Sequence, residues 1–361
     1  MTLFVDKSPD RLSPDYAVPP GRTLQETIEA LGIDQNELAK RTGLTPKTVN
    51  LIIKGKAPLS QHTAILLECA TNVPARLWNN LECNYREQVA RLASSKQLEN
   101  QVTWLRKVPT KELIRRGFLK ETSDRVSLLE QSLKFFGVAS VEAWNEGWSD
   151  GQFGFRKSVK SFPCDVKLAS WLRIAEIEGQ HKEVERFNRE QFVSVAKASR
   201  ELMLTKPTKF IPQLVKSFAS VGVALCFVPE IPGAKISGAA KWLSPEKALI
   251  AINLLGKRND TFWFTLFHEV GHVLSGSKKA TYLDISYSED SREKSANEFA
   301  WNLLIPPVYK DQVAALKTRE QIVSFASMIR IAPGVLVGRL QYDKLIPHTN
   351  LNDLKEIYVG P

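Results

Sequence analysis

The chain has 361 residues, 43% of them hydrophobic and 24% charged, an ordinary composition for a soluble globular protein and a length that suggests two or three domains. Its apolar runs, such as Val221 to Val228, are far too short to span a bilayer, and the opening segment has acids and prolines but no apolar signal stretch. Cytoplasmic localisation and no membrane partner are therefore expected. The formal net charge of +10 favours polyanions, but residues 1–90 are neutral, residues 91–210 carry net +7 and residues 211–361 carry net +3.

Residues 1–20, with Pro9, Pro14, Pro19 and Pro20, read as a flexible N-terminal arm. From Gly21 to about Arg91 the apolar spacing is helical, in short pieces. Leu24, Ile28 and Leu31 share one face, and Gly32 stops that helix. Asp34 is placed to cap a helix through Leu38 and Ala39, which Gly43 ends. Thr45 caps the next, with Pro46 at its first position, and Gly55 ends it. Ser60 begins a further helix through Leu67, and Trp78, Leu81 and Tyr85 extend the apolar face.

Residues 92–208 read as a helical connector. Thr110 resembles a helix start, Gly117 a stop, and Lys167 to Lys197 has helical periodicity throughout. Arg106, Lys107, Lys111, Arg115, Arg116 and Lys120 form a basic cluster interleaved with Trp104, Leu105, Leu113 and Ile114, most simply a solvated helix face, with a supporting phosphate contact as the alternative. Trp144, Trp148 and Trp171 read as core. Cys69, Cys83, Cys164 and Cys226 have no C-x-x-C spacing and read as reduced, buried thiols, not a zinc site.

Residues 209–361 change character. Val221–Val228 is an apolar β-rich run, and two short strands, at 241–243 and 248–253, flank the turn at Ser244-Pro245. Asn259-Asp260-Thr261 reads as the cap of an apolar helix from Phe262 to Leu274, and Ser291 to Leu304 as another helix. The fold class is multidomain: an all-α N-terminal domain and connector, then an α+β domain.

His268-Glu269-Val270-Gly271-His272 matches H-E-x-x-H. Four residues apart on a helix, both imidazoles face one ion, and zinc takes neutral imidazole nitrogen well. Glu269 is the candidate general base. Glu293 offers a third ligand, with Asn297 one turn on to orient a ligand histidine; Glu289, Asp290 and Glu298 are rival carboxylates. Tyr282, Tyr287 and Arg339 are candidate oxyanion donors, and a strand within 241–253 is the candidate to pair with an extended substrate.

The segment from about Phe210 onward resembles the ImmA/IrrE metallopeptidase family in FWFTLFHEVGH at 262–272, in E-x-x-A-N-x-F-A-x-x-L-L-x-P from Glu293 to Pro306, and in Ala332-Pro333-Gly334 with Gly338-Arg339-Leu340. The resemblance implies a zincin-like domain, assigns the third zinc ligand to Glu293, and implies a protease that cleaves a regulatory protein.

Residues 35–50 have the helix-turn-helix layout. Ala39 is small where helices cross, Gly43 makes the turn, and Leu44 and Val49 anchor the second helix. The remaining face carries Thr45, Lys47, Thr48, Asn50 and Lys54, donors for phosphates and base edges, with Gln35 and Pro46 completing the candidate DNA-binding set. The stretch is similar to the Cro/lambda-repressor (XRE) helix-turn-helix in the form found in HigA-type antitoxins, through Pro20-Gly21, Gly55-Lys56-Ala57-Pro58, Leu66-Leu67-Glu68 and Trp78-x-x-Leu81-x-x-x-Tyr85. That resemblance implies operator DNA as partner, bound as a homodimer. The combined expectation is a DNA-binding regulator (21–91) fused to a zinc endopeptidase (209–361) acting on a repressor or toxin–antitoxin partner. The alternative is a non-enzymatic antitoxin or repressor whose zinc domain is a sensor or scaffold.

Overall fold

The structure is a computed structural model, and it describes residues 16–149, 165–234, 236–253, 258–275, 281–283 and 291–358. Contacts divide the chain into two compact units: Met1–Thr103 with Lys120–Glu130, and Trp104–Leu119 with Gln131–Pro361. The division therefore falls elsewhere than at 91 and 208, and residues 131–208 share one unit with the C-terminal region. Residues 1–15 of the expected arm lie outside the described residues.

The first unit is helical: α1 (Pro20–Ala30), α2 (Gln35–Thr42), α3 (Pro46–Ile53), α4 (Gln61–Thr71) and α5 (Ala75–Glu99). Local chemistry sets the ends. The carboxylate of Asp34 accepts from the Glu37 amide at 2.7 Å, Thr45 caps Thr48, and Ser60 caps Thr63. Gly43, between α2 and α3, sits at φ 69° with open space around it. Leu24, Ile28, Leu38, Ala39, Val49, Ile52, Leu67 and Trp78 form the core. At Gly21 the reason is contact: a Cβ there would lie 2.2 Å from the Ile52 carbonyl oxygen, so α1 begins directly against the end of α3.

In the second unit, α6 (Thr110–Arg115) precedes α7 (Arg125–Phe136), within which the chain passes between units. Next come α8 (Val141–Trp144), running into a π-helical turn, then α9 (Val166–His181), α10 (Arg189–Ser199) and α11 (Pro207–Ala219). Trp144, Trp148 and Trp171 are buried as expected. The periodic stretch from Lys167 to Lys197 is not one helix. It breaks at Lys182 because the amides of Glu185, Phe187 and Asn188 bond to the carbonyls of Ala219, Glu246 and Val221, a non-local pairing that overrides helical propensity. Among the described cysteines, Cys226 is buried but Cys69 and Cys83 are exposed, against expectation; Cys164 lies outside the described residues.

The sheet contains β1 (Val223–Phe227), β2 (Gly238–Ser244), β3 (Lys247–Ile252) and β4 (Thr281–Leu283), in the order β1-β3-β2-β4. β1 runs parallel to β3; the other pairs are antiparallel. The strands expected to receive a substrate are internal. β3 pairs on both sides, and β2 pairs with β3 and, at Ala239–Lys241, with β4. The edge on that side, among the described residues, is β4.

Helix α12 (Asn259–Ser275) lies against one face of the sheet, where Ala248, Ile250 and Ile252 join Phe262, Trp263, Leu266 and Phe267 in the core. Helix α9 covers the other, with Gly179 close against Leu249 and Leu243. There the buried carboxylate of Glu176 accepts from Lys241 and from Arg173. Helices α13 (Ser291–Leu304), α14 (Lys310–Ala314), α15 (Arg319–Met328) and α16 (Pro333–Tyr342) complete the unit. No single helix among the described residues is long and apolar enough to cross a membrane.

Gly21 and Gly43 give an ordered prediction. Gly43→Ala meets no atom and costs only the left-handed backbone, about 1 kcal/mol. Gly21→Ala forces α1 away from α3 and should cost about 3 kcal/mol. Thermal unfolding followed by calorimetry should show the larger loss for Gly21→Ala; equal losses would contradict the close contact.

Candidate metal centre and recognition helix

Helix α12 is buried along nearly its whole length, from Phe262 to Leu274. Its polar side chains must therefore find partners inside the protein. Those partners come from α13, which crosses α12 at Gly271: a Cβ there would lie 3.1 Å from Ala296 Cα. The second variable position of the H-E-x-x-H motif is thus the point of closest packing between the two helices. The two helices then pair in rungs one turn apart. His272 meets Glu293, His268 meets Asn297, and Phe264 packs on Trp301 with ring centroids 4.7 Å apart.

The geometry at the first two rungs is convergent. Nε2 of His268 stands 3.2 Å from Glu293 Oε2, and Nε2 of His272 stands 3.3 Å from Glu293 Oε1. The two Nε2 atoms are 2.9 Å apart. His268 Nδ1 is 2.9 Å from Asn297 Oδ1. An amide oxygen only accepts, so Nδ1 carries the proton and Nε2 presents its lone pair. Ligands about 2.1 Å from a tetrahedral zinc stand about 3.4 Å apart. The imidazole–carboxylate separations match that spacing, and the imidazole pair is about half an ångström short of it. Two imidazoles and a carboxylate therefore fit a divalent cation of the zinc type. Burial pushes the Glu293 carboxyl up, but its closeness to His268 and His272 outweighs that and holds it down at about 2.

Glu269 is fully buried. Its carboxylate lies under β2, where a Cβ on Gly238 would come within 2.8 Å of Glu269 Oε1 and 2.7 Å of Thr265. Gly238 thus leaves room for the candidate base. Of the rival carboxylates, Glu298 is exposed and apart from the cluster, whereas Glu289 and Asp290 lie outside the described residues. Among the candidate oxyanion donors, Arg339 stacks on Trp301 at 4.9 Å and its Nε donates to Asp343 at 2.6 Å. Only the backbone of Tyr282 is described, in β4, and Tyr287 lies outside the described residues.

Several residues that hold the centre escaped the sequence reading. Asp260, read as part of a cap, is inside a helix that starts at Asn259, and its carboxylate pairs with buried Lys355 at 2.5 Å. Lys355 also donates to Gln341 at 2.7 Å, and Trp263 donates to the Tyr358 hydroxyl at 3.0 Å. The amide of Asn259 donates to the Glu356 carbonyl at 2.8 Å. The C-terminal segment thus clasps the start of the helix that carries His268 and His272. Gly334 and Gly338 of α16 allow this, since a Cβ at either would strike Asn259 or Asp260. Their glycines were the only signal available in the sequence.

In the first unit, Thr45, Pro46, Lys47 and Lys54 are exposed on α3 and its flanks, and Thr48 and Asn50 are half-buried. Asn50 Nδ2 donates to Gln35 Oε1 at 3.2 Å, and Gln35 Nε2 donates to Gln25 at 3.1 Å. These bonds tie the start of α2 to the middle of α3 and fix Asn50 in place. Thr45 and Thr48 bond each other at 2.8 Å. Lys47 and Lys54 are exposed and make no ion pair among the described residues.

Comparison with known proteins agrees with both halves. Residues 24–78 match the helix-turn-helix family, and residues 226–323 match the IrrE N-terminal-like domain of the M78 peptidases. The chain is also 30% identical over 63 residues to YddM of Escherichia coli (strain K12), an uncharacterized HTH-type transcriptional regulator, across 18% of this chain and 67% of that protein. The chain therefore belongs to the helix-turn-helix regulators and carries, C-terminal to that domain, an IrrE N-terminal-like domain of the M78 peptidase family.

Proposed function

We propose that the protein is a cytoplasmic transcriptional regulator with a zinc-dependent endopeptidase attached, acting on a repressor or a toxin–antitoxin partner. The observation that carries this reading is the meeting of His268, His272 and Glu293 beside a buried Glu269. A purely structural metal site has no use for that glutamate. Zinc bound by the three side chains would supply Lewis acidity toward a peptide carbonyl. Asn297 holds His268 in the tautomer that leaves Nε2 free to ligate. Glu269 takes a proton from the attacking water and later delivers it to the leaving amine. The missing side chain at Gly238 of β2 leaves the space that this carboxylate occupies. An extended substrate would pair with β4, the strand edge that β2 and β3 do not offer. Lys47, Asn50, Thr45, Thr48, Lys54, Gln35 and Pro46 form the operator-reading set, used by a homodimer.

The match to a transcriptional regulator favours a second reading, a non-enzymatic HigA-like repressor or antitoxin whose metal domain is a sensor or scaffold. Glu269→Gln separates the two, because it keeps the shape of the side chain and removes the proton acceptor. As a peptidase, the variant should retain its metal and its DNA binding but lose target cleavage by roughly a hundredfold or more. Promoter output and intact-protein mass spectrometry in cells carrying each variant read this out. Wild-type regulation in Glu269→Gln, together with disturbed regulation in His268→Ala, would establish the sensor instead.

The ligand set has its own test. Purified protein should hold about one zinc per chain, and elemental analysis should find occupancy lost in Glu293→Ala but kept in Glu298→Ala. Equal loss would remove Glu293 from the set. For the recognition helix, Lys47→Ala with Asn50→Ala should weaken binding to the protein's own promoter region at least tenfold in anisotropy titrations; unchanged affinity would refute the assignment.

A further inference from the structure

A basic segment early in the second unit belongs to neither site. Between Gln101 and Lys120 the sequence holds Arg106, Lys107, Lys111, Arg115 and Arg116, and Glu112 is the only acid. Its apolar residues, Trp104, Leu105, Val108, Leu113 and Leu119, are all buried. Trp104 packs edge-on against Phe136 and Trp144, with centroids 5.9 and 5.5 Å apart. The segment is therefore firmly seated, and its exposed side chains are cations apart from Thr103.

Those cations divide by role. Arg116 donates to Glu112 and to the carbonyls of Pro229 and Glu230, at 2.6, 3.0 and 2.8 Å, which fastens α6 to the loop after β1. Arg115 donates to the same carboxylate at 2.6 and 2.8 Å. The hydrogen bond from Arg115, with help from Arg116, holds the Glu112 carboxyl at about 2. Glu112 is thus fully engaged by two arginines. Arg106, Lys107 and Lys111 are exposed and make no ion pair among the described residues.

We propose that Arg106, Lys107 and Lys111 form a second DNA-contacting surface, which binds the phosphate backbone of a duplex without reading its sequence. The inference rests on the DNA-binding reading of the first unit. Affinity for DNA comes largely from phosphate neutralisation, yet residues 1–90 carry no net charge. The chain's cationic excess lies mainly in the stretch that contains this face. Single-stranded nucleic acid calls for exposed aromatic rings on which bases stack. Here every aromatic ring but the half-buried Phe118 is packed into the core, which leaves charge alone and favours the duplex backbone.

The test uses the full-length chain and two labelled duplexes, one from its own promoter region and one unrelated. Anisotropy titrations run from about 50 to 200 mM KCl. Relative to wild type, Arg106→Gln/Lys107→Gln/Lys111→Gln should bind both duplexes roughly tenfold or more weakly and flatten the log K against log salt slope by roughly 2 to 3. A companion that keeps all three charges through Arg106→Lys should match wild type, which separates charge from folding. An unchanged slope in the triple variant would overturn the inference, as would a loss confined to the promoter duplex. Normal duplex binding with lost binding to polyglutamate would overturn it in favour of an acidic protein partner. If wild type binds neither duplex, the DNA reading of the first unit fails as well. If only Lys47→Ala/Asn50→Ala loses affinity, this inference fails alone.

Discussion

Everything at the candidate metal centre depends on how closely α12 and α13 approach. The contact of Gly271 with Ala296 sets that distance. A methyl group at Gly271 would meet Ala296 at 3.1 Å, so α13, which carries Glu293 and Asn297, would have to give by a few tenths of an ångström. The spacing of three rungs, each one turn from the next, follows from two helices in steady antiparallel contact. A local motif supplies two of the donors. The third, and the residue that orients the first, come from packing.

Burial then dictates the rest of the site. A helix enclosed on all sides cannot leave carboxylates and imidazoles to water. Several polar groups on α12 meet a counterpart from elsewhere: Asn297 for His268, Glu293 for His272, Lys355 for Asp260 and Tyr358 for Trp263, while Gly238 leaves space for Glu269. These counterparts arrive from β2, α13 and the C-terminal segment. The helix is consequently held at its start by the clasp, along one side by α13 and beneath by the sheet. That rigidity is what a site for directed proton transfer requires.

Legibility in the sequence follows the range of the interaction. Caps at Asp34, Thr45 and Ser60 act within four residues, and each is read from its own neighbourhood. The H-E-x-x-H spacing and the helix from Ser291 to Leu304 are of the same kind. The break after Lys182 is not, because carbonyls some 33 to 59 residues away in sequence impose it. Strand order is equally non-local. The short run at Thr281–Leu283 covers β2 and removes it as an edge, and three residues carry no pattern of their own. Gly238, Lys355 and Tyr358 lie 31, 86 and 89 positions from Glu269. Their roles exist only once the chain has folded.

The two sites respond differently to perturbation for a physical reason. Of the proposed DNA-contacting residues, Lys47 and Lys54 are exposed, so truncating either removes a surface charge and leaves the core of Leu38, Val49 and Ile52 intact. The metal set is part of its unit's core. A cation bound by His268, His272 and Glu293 stabilises the folded state by mass action, by about 1.4 kcal/mol for each tenfold excess of free ion over its dissociation constant. On the proposed reading, stability of the second unit would rise with metal concentration. Removing one donor leaves the others buried without their counterpart, at a cost of order 1–3 kcal/mol or more for charged groups. Ligand substitutions thus lower stability and metal affinity together. Glu269→Gln, which touches no ligand atom and preserves volume, is the change that isolates chemistry from structure.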